Sequence, residues 1–144
     1  MKKKVLFVFA VIMCICSFSG ASAYAETEKH PIDAELEKRL EVADTTADMM
    51  EAYAQTAADW DKLLNENYNA LMQTLSSEQQ ERLRASQREW IKFRDLEFEF
   101  NANFWDDFDG TMWRIFPYVF QSDFIRTRAL QLGDLIDPLE GLVE

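Results

Sequence analysis

Residues able to do covalent or acid–base chemistry are few in this chain, and they do not converge. His30 is the one histidine, and Cys14 and Cys16 are the two cysteines, among 144 residues. A serine or cysteine nucleophile needs a histidine positioned beside it, and His30 lies ahead of every helical pattern. Glu97 and Glu99 could supply the paired carboxylates of sugar cleavage, but two residues apart on a helix they face different ways. Asp106, Asp107 and Asp109 lead into Gly110 in the manner of a calcium loop. With Gly110 in the sixth place, however, Trp105 and Phe116 fall at the first and twelfth, where oxygen ligands are required. Phosphate loops need glycines, and beyond residue 25 only Gly110, Gly133 and Gly141 remain. No catalysis, metal site or cofactor is therefore expected.

What remains is recognition. From Phe104 to Phe120 large aromatics alternate with acids around one glycine. Trp105, Asp106, Asp107, Asp109 and Trp113 are the candidate partner-binding residues, since aromatic anchors inside a charged rim are what a steered interface uses. The competing reading is that these rings only cap the end of a helical bundle.

Charge narrows the partner. Residues 1–25 hold three of the 15 bases and none of the 26 acids, so the remainder carries −14. That balance opposes nucleic acid and anionic lipid and draws basic proteins. It also serves simple solubility.

The leader explains where such a protein works. Three lysines, an apolar run from Val5 to Phe18 and small residues at Ala21, Ala23 and Ala25 follow the order of a secretory signal. Cleavage is expected after Ala25, or after Ala23. Because the run ends in Ser17, Ser19 and Gly20, it is short of the roughly 20 apolar residues of a membrane span. Both cysteines would leave with it, so residues 26–144 form one domain that folds without disulfides. An extracytoplasmic setting follows, the periplasm ahead of full secretion, with no membrane span in the mature chain.

The elements that must position the aromatic segment are helical. Pro31-Ile32-Asp33 opens a short helix that Asp33 can cap, with Leu36 and Leu40 inward. Thr45 and Asp48 form a capping box ahead of a stripe through Met49, Tyr53, Thr56, Trp60, Leu64, Tyr68, Leu71 and Leu75. Ser76 or Ser77, each with a glutamine three residues on, starts a second stripe of Leu83, Gln87, Trp90, Ile91, Arg94 and Phe98. A helix break around Gly110 and Pro117 precedes a last helix through Phe120, Phe124, Ile125, Arg128, Ala129 and Leu132, ended by Gly133. The fold class is all-α: a long antiparallel helical hairpin packed by a short N-terminal helix and a C-terminal helix.

If the hairpin turns near residue 76, Asn65 stands opposite Gln87 and Asp61 near Arg94. Asp61, Asn65, Tyr68, Gln87, Trp90 and Arg94 are thus expected to line a seam that sets helix register.

These residues carry a resemblance. Thr45-Thr46-Ala47-Asp48-Met49, Trp60-Asp61-Lys62, Leu64-Asn65-x-x-Tyr68, Leu83-x-x-Ser86-Gln87-Arg88-x-Trp90-Ile91-x-Phe93-Arg94-Asp95, Gly110-Thr111 and Thr127-Arg128-Ala129 resemble the bacterial exported lysozyme-inhibitor family of the LprI type, from about His30 to Leu132. The resemblance implies a small all-helical extracytoplasmic protein, some of whose relatives inhibit lysozyme; with the lack of catalytic residues and the acidic charge, the expected function is non-enzymatic binding and inhibition of a basic partner such as lysozyme. The resemblance also implies cysteines where this chain has Ala52 and Phe98, and near Arg39, so the family's bridges cannot form here. A general envelope module binding a protein or peptide is the alternative function.

Overall fold

Thr45 sets the start of the helix that carries most of the buried core. Its hydroxyl accepts from the Asp48 N–H, and the Asp48 carboxylate accepts from the Thr45 N–H and hydroxyl. These bonds hold the Asp48 carboxyl below its ordinary value and satisfy donors that a helix start leaves open. The computed structural model describes residues 29–140, and the expected leader lies outside them. Helix α1 spans Pro31–Glu41, α2 Thr46–Thr74, α3 Ser77–Asp106, α4 Phe116–Gly133 and α5 Asp137–Glu140, with a 3₁₀ turn at Thr111–Ile115 before α4. Ser76 and Gln79 make the second capping box, starting α3 immediately after α2 ends. The result is the expected all-α helical hairpin. No described helix is long and apolar enough to cross a membrane.

The space between the arms is occupied. Trp60, Leu64 and Leu71 of α2 bury against Ile125, Ala129 and Leu132 of α4, each large side chain contributing about 1.5–3 kcal/mol when removed from water. Contact between α2 and α4 is the most extensive in the molecule, whereas direct contact between α2 and α3 is sparse. Leu83, Trp90 and Phe98 of α3 approach this core from the α4 side. Pro117 sits in the first turn of α4, where its missing N–H costs nothing. Gly133 ends that helix as its position suggested and does more: a Cβ there would lie 3.1 Å from Asn67 Nδ2. The same Asn67 amide donates to the Ala129 carbonyl at 2.9 Å, so the missing side chain admits a polar tie between α2 and α4.

Helix α1 docks through charge and one aromatic contact. Arg126 of α4 grips Asp33 with three hydrogen bonds of 2.8 to 3.1 Å, and Arg39 pairs with Asp59 at 2.8 Å and donates to Thr56. The capping expectation for Asp33 is corrected: His30 caps α1, its Nδ1 accepting from the Ile32 N–H. The helix begins at Pro31, so Asp33 lies inside its first turn and is free to pair with Arg126. The His30 ring is half-buried, 4.5 Å from that of Trp60.

Candidate partner-binding surface

The expected seam between the hairpin arms is not formed. Asn65 Nδ2 donates to the Asp61 carbonyl and carboxylate within its own helix, and Arg94 pairs with its neighbour Asp95 at 2.7 Å. Gln87 is buried but turns to α4, where its Oε1 accepts from Arg128 Nε at 3.1 Å. Trp90 stacks on Phe124 of α4, with the Arg94 and Arg128 guanidinium groups against its ring. Tyr68 packs at the edge of the core. The physical reason is α4, which separates the arms and takes the partners that a two-helix seam would have paired. Two members of the predicted stripes also face solvent: Met49 and Ile91 are exposed, and Ala52 is buried on α2. Phe98 meets Phe120 and Phe124 edge-on, so apolar packing fills the position for which the resemblance implied a cysteine.

The aromatic segment lies at the end of α3 remote from the turn. Trp105, on its last turn, stacks on Trp113 of the 3₁₀ turn with centroids 5.6 Å apart and planes 9° from parallel. It also stacks on Phe116 of α4 at 4.5 Å. Phe108 leans on Trp113 and on Phe104, so a continuous aromatic group closes this end of the bundle. Exposure differs within the group: Trp105 and Trp113 are half-buried, whereas the Phe108 ring and the neighbouring Met112 are exposed. Around them Asp106, Asp107 and Asp109 all stand in solvent.

Gly110 makes the return possible. Its φ of 112° and ψ of 147° lie near a region almost confined to glycine, where other residues cost about 1–3 kcal/mol. A Cβ would find only ordinary contact with Trp113, at 3.8 Å, so the requirement is backbone shape and not space.

Beside this group a cavity of about 470 Å³ opens between α1, α2, α3 and α4, walled by Tyr53, Trp60, Trp105, Phe116 and Phe120. Asp33, Asn101, Asp123 and Arg126 supply its polar lining. The hydrogen bonds that Arg126 donates to the Asp33 carboxylate raise the Arg126 pKa, keeping that group charged, while burial lowers the Arg128 pKa. Among the described residues no three of the His, Cys, Asp and Glu side chains gather where they could hold a metal ion. Asp106, at the end of α3, and Asp109, in the loop after it, stand exposed, and Glu97 lies back on α3.

Spacing alone did not single out the outer face of α3 or the pairing of Arg126 with Asp33. The first was legible as Phe93, Leu96, Phe100 and Phe104, three or four residues apart. The second joins residues 93 apart and has no local signal.

Residues 37–132 match the model of a family described as Lysozyme inhibitor LprI. No curated protein matches the chain. Among solved structures, an uncharacterized protein from Burkholderia thailandensis is similar, with a TM-score of 0.73 and 22% identity over 78% of this chain. This chain spans 57% of that one, and at such identity the likeness speaks for the fold alone.

Proposed function

The chain belongs to the Lysozyme inhibitor LprI family, and on that premise we propose that it binds lysozyme, without catalysis of its own, and inhibits it through the acidic aromatic end of the bundle. The observation carrying this reading is the Trp105–Trp113 stack with Phe108 and Met112 exposed beside it and Asp106, Asp107 and Asp109 around it. Rings held by stacking lose little freedom on binding, so they suit anchors. Three exposed carboxylates, on residues 26–144 that together carry −14, raise the encounter rate with a basic partner. The proposed setting is extracytoplasmic, with periplasm favoured, after removal of residues 1–25 to leave residues 26–144 as one domain.

Replacing Asp106, Asp107 and Asp109 by asparagine tests the surface. At low salt lysozyme binding is expected to weaken about tenfold, as three exposed charge contacts of under 1 kcal/mol each would allow. At high salt the gap should close through screening. Calorimetric titration at two ionic strengths reads both effects, and equal affinity of the two proteins at low salt would remove these acids from the interface. A second reading, an envelope module for a peptide, is favoured by the 470 Å³ aromatic cavity; that module would bind peptide with no effect on lysozyme.

A further inference from the structure

The cavity beside the aromatic end has the dimensions of a ligand pocket, about 470 Å³ where such pockets run from about 300 to 1,000 Å³. All of its lining residues lie on α1, α2, α3 and α4, so its shape rests on packed helices and not on a loop. Phe116, Phe120, Asp123 and Arg126 follow one another at three or four residues and share one face of α4. With Tyr53, Trp60 and Trp105, the two phenylalanines make most of the wall aromatic. Aromatic faces carry partial negative charge and attract cations.

The charges of the lining give the ligand its sign. Asp33 is committed to Arg126 through three hydrogen bonds of 2.8 to 3.1 Å, which makes that pair close to neutral. The same guanidinium lies 5.4 Å from the centre of the Trp60 ring, so this wall already accommodates one cation against an aromatic face. Asp123 is exposed one turn away, and no cation among the described residues forms an ion pair with it. One negative charge is therefore left over. Asn101 adds an acceptor, because its amide nitrogen donates to the Glu97 carbonyl at 3.0 Å and leaves Oδ1 unengaged. An anion would meet Asp123 and the −14 of residues 26–144 with the one guanidinium of the lining already taken.

We propose that this cavity binds an organic cation, an ammonium or guanidinium group on an apolar stem, with the charge at Asp123 and the stem against Trp105, Phe116 and Phe120. The group arrives on a free amine or on a lysine or arginine side chain of a basic protein. The site does not depend on inhibition of lysozyme.

Asp123 and Phe116 are two turns apart on α4, about 10 Å, a span that suits 4-phenylbutylammonium, with 4-phenylbutanol and 4-phenylbutyrate as its neutral and anionic counterparts. Isotope-labelled residues 26–144, which include every described helix, are titrated with each and followed by NMR through the indole signals of the four tryptophans. The amine is expected to bind with a Kd of about 1 mM or below. It should move the Trp60 and Trp105 signals and leave Trp90, which stacks on Phe124 outside the cavity. The alcohol should bind about tenfold more weakly, and the carboxylate more weakly still. Asp123→Asn should weaken the amine about fivefold with the alcohol unchanged. Asp123→Lys, which brings an ammonium of its own, should abolish amine binding; both variants should keep the helical circular dichroism, since the position is exposed. Lysozyme added to the amine complex identifies the source: displacement assigns the site to a side chain of a basic protein, and undisturbed amine binding assigns it to a free amine. An alcohol or carboxylate that binds as tightly as the amine would overturn the proposal. So would unchanged amine binding by Asp123→Lys, a shift of Trp90 in place of Trp60 and Trp105, or no saturable shift up to about 10 mM.

Discussion

Trp60→Ala is expected to cost about 3–5 kcal/mol of stability, the range for removing a large aromatic from a packed core. That is a large part of the 5–15 kcal/mol typical of a whole domain. Trp60 is 0% exposed and joins three elements. It packs with Leu64 and Leu71 along α2 and with Ile125 and Ala129 of α4. His30 of the α1 cap lies against its ring, and the Arg126 guanidinium covers it at 5.4 Å. The loss should therefore appear both as a lower urea midpoint and as early release of α1. One feature tempers the site: the indole N–H is buried with no acceptor among the described residues, an omission worth roughly 1–3 kcal/mol. Trp60→Phe, which removes that donor and keeps most of the ring, should cost less than half as much as the alanine variant. A Trp60→Phe cost of half the alanine value or more would mean that removing the orphaned N–H brings little relief.

Gln87→Leu should cost about 2 kcal/mol, although it places a more apolar residue at a buried position. The gain from burying leucine is offset because Arg128 loses the acceptor that Gln87 Oε1 provides at 3.1 Å, and hydrogen bonds to charged groups are worth about 1.5–3 kcal/mol. Arg128 keeps its place against the Trp90 ring and two longer contacts, of 3.5 Å, to Ser86 and Gln131, and burial already disfavours its charge. Arg128→Leu in the same chain should recover most of the loss, which a double-mutant cycle by urea unfolding would measure. If the single Gln87→Leu variant is as stable as the parent, α3 is not fastened to α4 through this bond.

Helix content and helix limits were legible because they rest on local chemistry. Thr45–Asp48 and Ser76–Gln79 announce their helices within four residues, and both boxes form. Trp60, Leu64 and Leu71 recur at helical spacing and are buried. What could not be read was which helix faces which. A hairpin turning at Leu75 and Ser76 places Asn65 opposite Gln87 only if its arms touch, and nothing near either residue tells that α4 lies between them. For the same reason Arg126 and Arg128, two apart on α4, gave no hint that one reaches α1 and the other α3. Within the candidate surface, Trp105, Trp113 and the three aspartates were visible as residue types beside a glycine. Their division into closing rings and exposed rings depends on the turn at Gly110 and on Phe116, which is tertiary information.

The reading of this surface as a lysozyme-binding end is tested most directly by lysozyme turnover of a cell-wall substrate with residues 26–144 added in increasing amounts at low and at high ionic strength. Saturable inhibition is expected, stronger at low salt and reduced in the Asp106→Asn, Asp107→Asn, Asp109→Asn variant. Unchanged turnover at low salt, with the chain folded and in excess over enzyme, would contradict it.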